Sequence, residues 1–135
     1  MCRLVEEELE KLPEYVRETS RLRAYLAGEV SNEDLASLLQ IAHTIILPIT
    51  QGGGSNLKTA EALLAEKWII ATDTAFRSYE EYKNQPNVSI ANEASQFREQ
   101  IEKSIHRAST PLATQKPKVT WGYTLQPLIK EVQNI

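Results

Sequence analysis

Gly52-Gly53-Gly54 is followed within seven residues by Lys58 and Glu61, in the stretch TIILPITQGGGSNLKTAEA of residues 44 to 62. An apolar run enters the glycines and a helix-forming segment leaves them. Such a junction can hold a phosphate. Glycines let the backbone approach an anion closely, and the first turn of a helix offers amide hydrogens carrying partial positive charge. Lys58 and Glu61 lie three residues apart and so share one helix face near its N-terminal end. The lysine can neutralise a diphosphate, and the carboxylate one turn further on can accept hydrogen bonds from ribose hydroxyls. As a plain surface ion pair the two would contribute only about 0.2 to 0.5 kcal/mol. The apolar neighbours Leu57, Ala60, Ala62, Leu63 and Leu64 favour a site, since they imply a largely buried helix.

Two named phosphate motifs fit poorly. The nucleotide-hydrolysing loop G-x-x-x-x-G-K-[ST] can start at Gly52 and end at Lys58-Thr59, but Leu57 stands where its second glycine belongs. No acidic strand end downstream offers itself for magnesium. The dinucleotide pattern G-x-G-x-x-G matches Gly52 and Gly54 and then also meets Leu57. Arg77 is a further candidate, because it follows an expected strand end in a loop. His43 ends an expected helix, where a cation suits the negative end, and His106 lies on a charged amphipathic helix. Trp68 and Trp121 read as packing residues rather than sugar platforms.

The elements around this stretch alternate. Residues 4 to 18 carry helical spacing interrupted by Pro13, and LRAYLAG, residues 22 to 28, reads as a short strand. Ser31, three residues before Asp34, caps a helix whose apolar face is Leu35, Leu38, Leu39 and Ala42. TIILPI (44–49) and WIIAT (68–72) are continuous apolar runs of the kind buried on both faces of a parallel sheet. NVSIA (87–91) is a third such strand. Residues 94 to 108 form a charged helix with Phe97, Ile101 and Ile105 along one face. Residues 109 to 118 read as a linker, and a terminal helix from Thr120 carries Leu125, Leu128, Ile129 and Val132. The expected fold is α/β: a partial doubly wound, Rossmann-like parallel sheet over residues 1–108, with residues 119–135 packing back on it.

Composition narrows the class. A chain of 135 residues supports one hydrophobic core. A net charge of -3 argues against nucleic acid. The lone Cys2 and two distant histidines make no metal site. No run reaches the roughly 18 apolar residues of a membrane span. These features fit the cytoplasm, with attachment of a full enzyme to the inner membrane face left open.

The glycine-lysine-glutamate core resembles the donor-binding motif of retaining glycosyltransferases of GT-B fold, of the group 1, family 4-like kind. One branch carries Gly-x-Gly-[Ser/Thr]-x-Leu-Lys-x-x-Glu-Ala, and this chain reads Gly52-Gly53-Gly54-Ser55-Asn56-Leu57-Lys58-Thr59-Ala60-Glu61-Ala62. The turn Gly28-Glu29-Val30-Ser31, Pro48, Ala71-Thr72, Ala75-Phe76-Arg77 and Val119-Thr120-Trp121 occupy similar places, so the likeness covers roughly residues 4 to 135. The resemblance implies the C-terminal half of a GT-B fold that binds a UDP- or GDP-sugar without metal or other cofactor. It implies that Glu61 binds the ribose and that the amides of Ser55, Asn56, Leu57 and Lys58 hold the diphosphate. It also implies that the backbone at Val30 faces the base, and that Gly53 and Gly54 flank the sugar.

The commoner pattern has a second glutamate where Gly53 stands. The opening strand with its arginine-lysine pair, and the acceptor domain, would precede Met1. The chain is therefore expected to need an N-terminal acceptor domain or a partner chain for catalysis, and to form a homodimer through exposed sheet edge. The rival expectation is a non-catalytic module that binds a nucleotide or a protein.

Overall fold

The computed structural model describes residues 28–54, 56–108 and 117–125. The expected helix of residues 4 to 18, nearly all of the expected strand at 22–28, Ser55 and the end of the terminal helix lie outside them. The chain divides into two units, Met1–Ser37 and Leu38–Ile135.

The first unit is described from Gly28 (φ 71) into the start of α1, Asn32–Ile41. Ser31 caps this helix as its spacing predicts: its Oγ accepts from the Asp34 amide at 3.1 Å and donates to the Asp34 carboxylate at 2.8 Å. No residue of α1 is buried. Its expected apolar face is half-buried at Leu35 and Leu39 and exposed at Leu38.

The second unit is α/β. Strands β1 (Thr44–Leu47), β2 (Trp68–Ala71) and β3 (Val88–Ile90) form a parallel sheet in that order. Thr44 pairs with Trp68 and Leu47 with Ala71; Ile69 pairs with Val88 and Ala71 with Ile90. Helix α2 (Leu57–Leu64) joins β1 to β2. Two 3-10 turns, Asp73–Phe76 and Glu80–Tyr82, join β2 to β3, where strict alternation would place a helix. Helix α3 (Ala94–Ile105) follows β3, and a short α4 (Trp121–Thr124) lies beyond the expected linker.

Alternate side chains along a strand point to opposite faces, and the two faces differ here. Leu47, Ile69 and Ala71 face α2, where they bury Ala62 and Leu63 together with Ala75, Phe76 and Tyr82. The opposite face carries α3. Ile70 is fully buried there, but Ile46 is 43% exposed. The continuous run in β1 therefore does not mean burial on both faces. Helix α3 corrects a second expectation: Ile101 and Ile105 stay exposed, and the buried residue of that helix is Ser104. Together with His43 and Thr44 these side chains line an open groove of about 380 Å³. Periodicity identifies the apolar side of an element but cannot tell whether another element covers it.

The N-terminal ends of the strands are closed by a polar cluster. Trp68 Nε1 donates to the Ala108 carbonyl at 2.7 Å, and the Arg107 guanidinium lies 4.7 Å from the indole ring centre. His43 bridges Thr44 Oγ1 (2.8 Å) and the Arg107 carbonyl (3.3 Å). Trp68 and His43 thus both hold the chain that leaves α3. His106 ends α3 and is exposed. Of the expected linker, residues 109–116 lie outside the described residues; at its end the Lys118 amide donates to the Tyr82 hydroxyl at 2.8 Å, and Val119 packs against the core.

Candidate functional site

All three strands point their carboxyl ends to one edge of the sheet, the edge at which open parallel sheets bind ligands. The glycine loop leaves β1 there, after Pro48 ends the strand. Thr72, at the exit of β2, anchors the start of the loop: its hydroxyl donates to the Ile49 carbonyl at 2.5 Å and accepts from the Ala75 amide at 3.2 Å. Three further hydrogen bonds join the end of the loop and the start of α2 to the turn after β2. Asn56 Nδ2 donates to the carbonyls of Thr74 (2.9 Å) and Ala75 (3.0 Å), and Thr59 Oγ1 donates to Ala75 at 2.6 Å.

These bonds have a consequence for the mouth of α2. An asparagine at the helix N-cap ordinarily turns its oxygen back onto the first-turn amides. Asn56 makes no such side-chain cap, because its amide group is held by the turn after β2. The Thr59 amide is taken by the Asn56 carbonyl at 2.9 Å. Gly52 (φ 141) and Gly54 (φ 79) hold backbone angles that side chains resist. A Cβ built on Gly53 or Gly54 would meet nothing within 4 Å, so the loop borders open space there.

The second unit brings together Gly52, Gly53, Gly54, Asn56, Leu57, Lys58, Glu61 and Arg77 on this edge. Lys58 and Glu61 are both exposed on α2, opposite the buried stripe Thr59, Ala60, Ala62 and Leu63. The helix is less buried than its apolar neighbours suggest, since Leu57 is 68% and Leu64 47% exposed. Arg77 donates through Nη2 to the Gly52 carbonyl. Val30 belongs to the first unit, where it is half-buried. Ser55 lies outside the described residues.

Thr59 decides against the nucleotide-hydrolysing loop. In that motif its hydroxyl would face a magnesium ion, whereas here it is fully buried and donates to Ala75.

Contrary to the expectation that no acidic strand end lies downstream, Asp73 stands at the exit of β2, and it belongs to a group at the same edge that sequence reading missed. Asp73 and Asn92 leave β2 and β3 side by side. Asn92 Nδ2 donates to the Asp73 carboxylate at 2.7 Å, and the Asp73 amide donates back to Asn92 Oδ1 at 3.0 Å. Lys83 pairs with the other carboxylate oxygen. The signal was available, since each residue directly follows a strand run. The three side chains satisfy one another and act as a clamp. Among the described residues, no group of three His, Cys, Asp or Glu side chains could hold a metal ion, and no helix is long and apolar enough to cross a membrane.

A scan against protein-family models finds no match, and searches of curated proteins and of solved structures find none either.

Proposed function

We propose that this chain is the donor-binding portion of a retaining glycosyltransferase of GT-B fold, taking a nucleoside diphosphate sugar for transfer to a glycan or lipid-linked acceptor. The observation that supports this reading is the mouth of α2. There a glycine loop with two positive φ angles borders open space at the start of α2. Backbone amides and the helix dipole favour a diphosphate at such a place. Lys58 adds positive charge, and Glu61, one turn on, is exposed and able to accept from the ribose. Catalysis of transfer would also need an acceptor domain or a partner chain, because this class of enzyme reacts in a cleft between two domains.

Titration calorimetry with UDP and GDP, on the chain as it stands, tests the reading. At least one is expected to bind, and Glu61→Ala is expected to weaken it by about 10- to 100-fold, the equivalent of one charged hydrogen bond. Absence of binding by either nucleotide overturns the reading. Binding that never leads to transfer, once candidate acceptor domains are added, would leave a non-catalytic nucleotide-binding module.

A further inference from the structure

We propose that Arg77 is a positioning residue for the glycine loop, acting on a bound anion through the Gly52 peptide rather than by touching it. The inference rests on the reading of that loop as a diphosphate cradle.

A carbonyl oxygen carries partial negative charge, so any carbonyl in a loop meant for an anion works against binding unless a donor engages it. Gly52 supplies such a carbonyl at the entrance to the loop, and Arg77 Nη2 donates to it across 25 residues of chain. A Cβ on Gly52 would stand 4.0 Å from the same nitrogen, so the guanidinium lies close along that peptide.

The base of the arginine is firmly held. Ala75 and Phe76 before it are fully buried, and its own amide donates to the Thr74 carbonyl at 3.3 Å. Ser78 after it turns back with φ 74, its amide donating to the Glu80 carboxylate at 3.2 Å. A fixed stem with a charged head on a glycine carbonyl limits the freedom of three successive glycines, the residues with most backbone freedom to lose. Asn56 and Thr59 tie the far end of the loop to the same turn. Arg77 ties the near end. Unlike Thr59 it is exposed, so its removal should loosen the loop without unfolding the sheet.

The test compares wild type, Arg77→Ala and Arg77→Lys by nitrogen-15 relaxation of the Gly52, Gly53 and Gly54 amides without nucleotide, and then by UDP and UMP calorimetry. In wild type the order parameters should lie near the rigid backbone value of about 0.85, and in Arg77→Ala they should fall toward about 0.6. The amides of β2 should not change. Arg77→Lys, which keeps a donor for the carbonyl, should restore most of the order. UDP and UMP affinities should fall together in Arg77→Ala, by about tenfold.

Unchanged loop order in Arg77→Ala, or a loop already disordered in wild type, overturns the proposal. So does a loss confined to UDP, which would make Arg77 a direct phosphate ligand. If wild type binds neither nucleotide, the cradle reading fails, while the relaxation data still decide whether Arg77 orders the loop.

Discussion

The hydroxyl of Thr59 donates to the carbonyl of Ala75 at 2.6 Å with the threonine fully buried, locking the first turn of α2 to the 3-10 turn that follows β2. Thr59→Val keeps the shape and removes the donor. Ala75 retains the Asn56 amide as a partner, so the loss should be about 1 kcal/mol, the net value of one such bond. Urea denaturation checks it. A shift in the midpoint with unchanged slope is the expected form.

The glycines should separate stability from binding. Gly54 sits at φ 79, where an alanine costs roughly 1 to 2 kcal/mol. Gly53 has no such angle, and a Cβ there touches nothing within 4 Å. Gly53→Ala should therefore leave the melting temperature within error of wild type and still weaken UDP or GDP binding, because the methyl occupies space the ligand needs. Thermal denaturation and calorimetry on both variants give the comparison. An unchanged nucleotide affinity in Gly53→Ala would mean the ligand keeps clear of that residue.

Ile46 offers a test of self-association. β1 is an edge of the described sheet, its sequence Thr44-Ile45-Ile46-Leu47 carries no charge, and Ile46 and Ile105 are 43% and 70% exposed. Natural edges are commonly blunted with lysine or proline, and uncovered apolar surface favours association. Sedimentation velocity should show mass rising with concentration. Ile46→Lys should suppress that rise, and a monomer at all concentrations in wild type would refute the expectation.

Glu99 should titrate below the ordinary value of a glutamate. Its hydrogen bond and charge interaction with Lys103, 2.5 Å away and one turn along α3, lower its pKa from 4.5. A carboxyl whose folded pKa is depressed contributes stability above its unfolded value, and that contribution is lost as pH falls through the folded value. The pair is exposed, so the effect belongs to α3 locally. Carbon-13 detection of the Glu99 carboxyl should show its midpoint rising on Lys103→Met.

Local patterns carried the element types well, because each rests on signals a few residues long. Ser31 and Asp34 announce α1, Pro48 ends β1, and the glycines announce the turn into α2. What they could not carry is pairing across distance. Arg77 and Gly52 are joined across 25 residues and Asp73 and Asn92 across 19, and no spacing rule links either pair. Nor could they carry cover. Ile46, Ile101 and Ile105 have the period of buried residues, and their exposure depends on what neighbours the fold supplies. Lys58 and Glu61 were legible as one face of a helix, while the absence of an Asn56 cap became visible only once the turn after β2 was in place.

Tyr82 gives the unit a practical boundary. Its ring is buried in the core, its hydroxyl accepts from the Lys118 amide, and Val119 packs against the same core cluster. A shortened protein ending at Ala108 would strand that phenol without its donor and remove Val119 from the core. Anyone trimming the molecule for expression should therefore keep the sequence through Val119 at least.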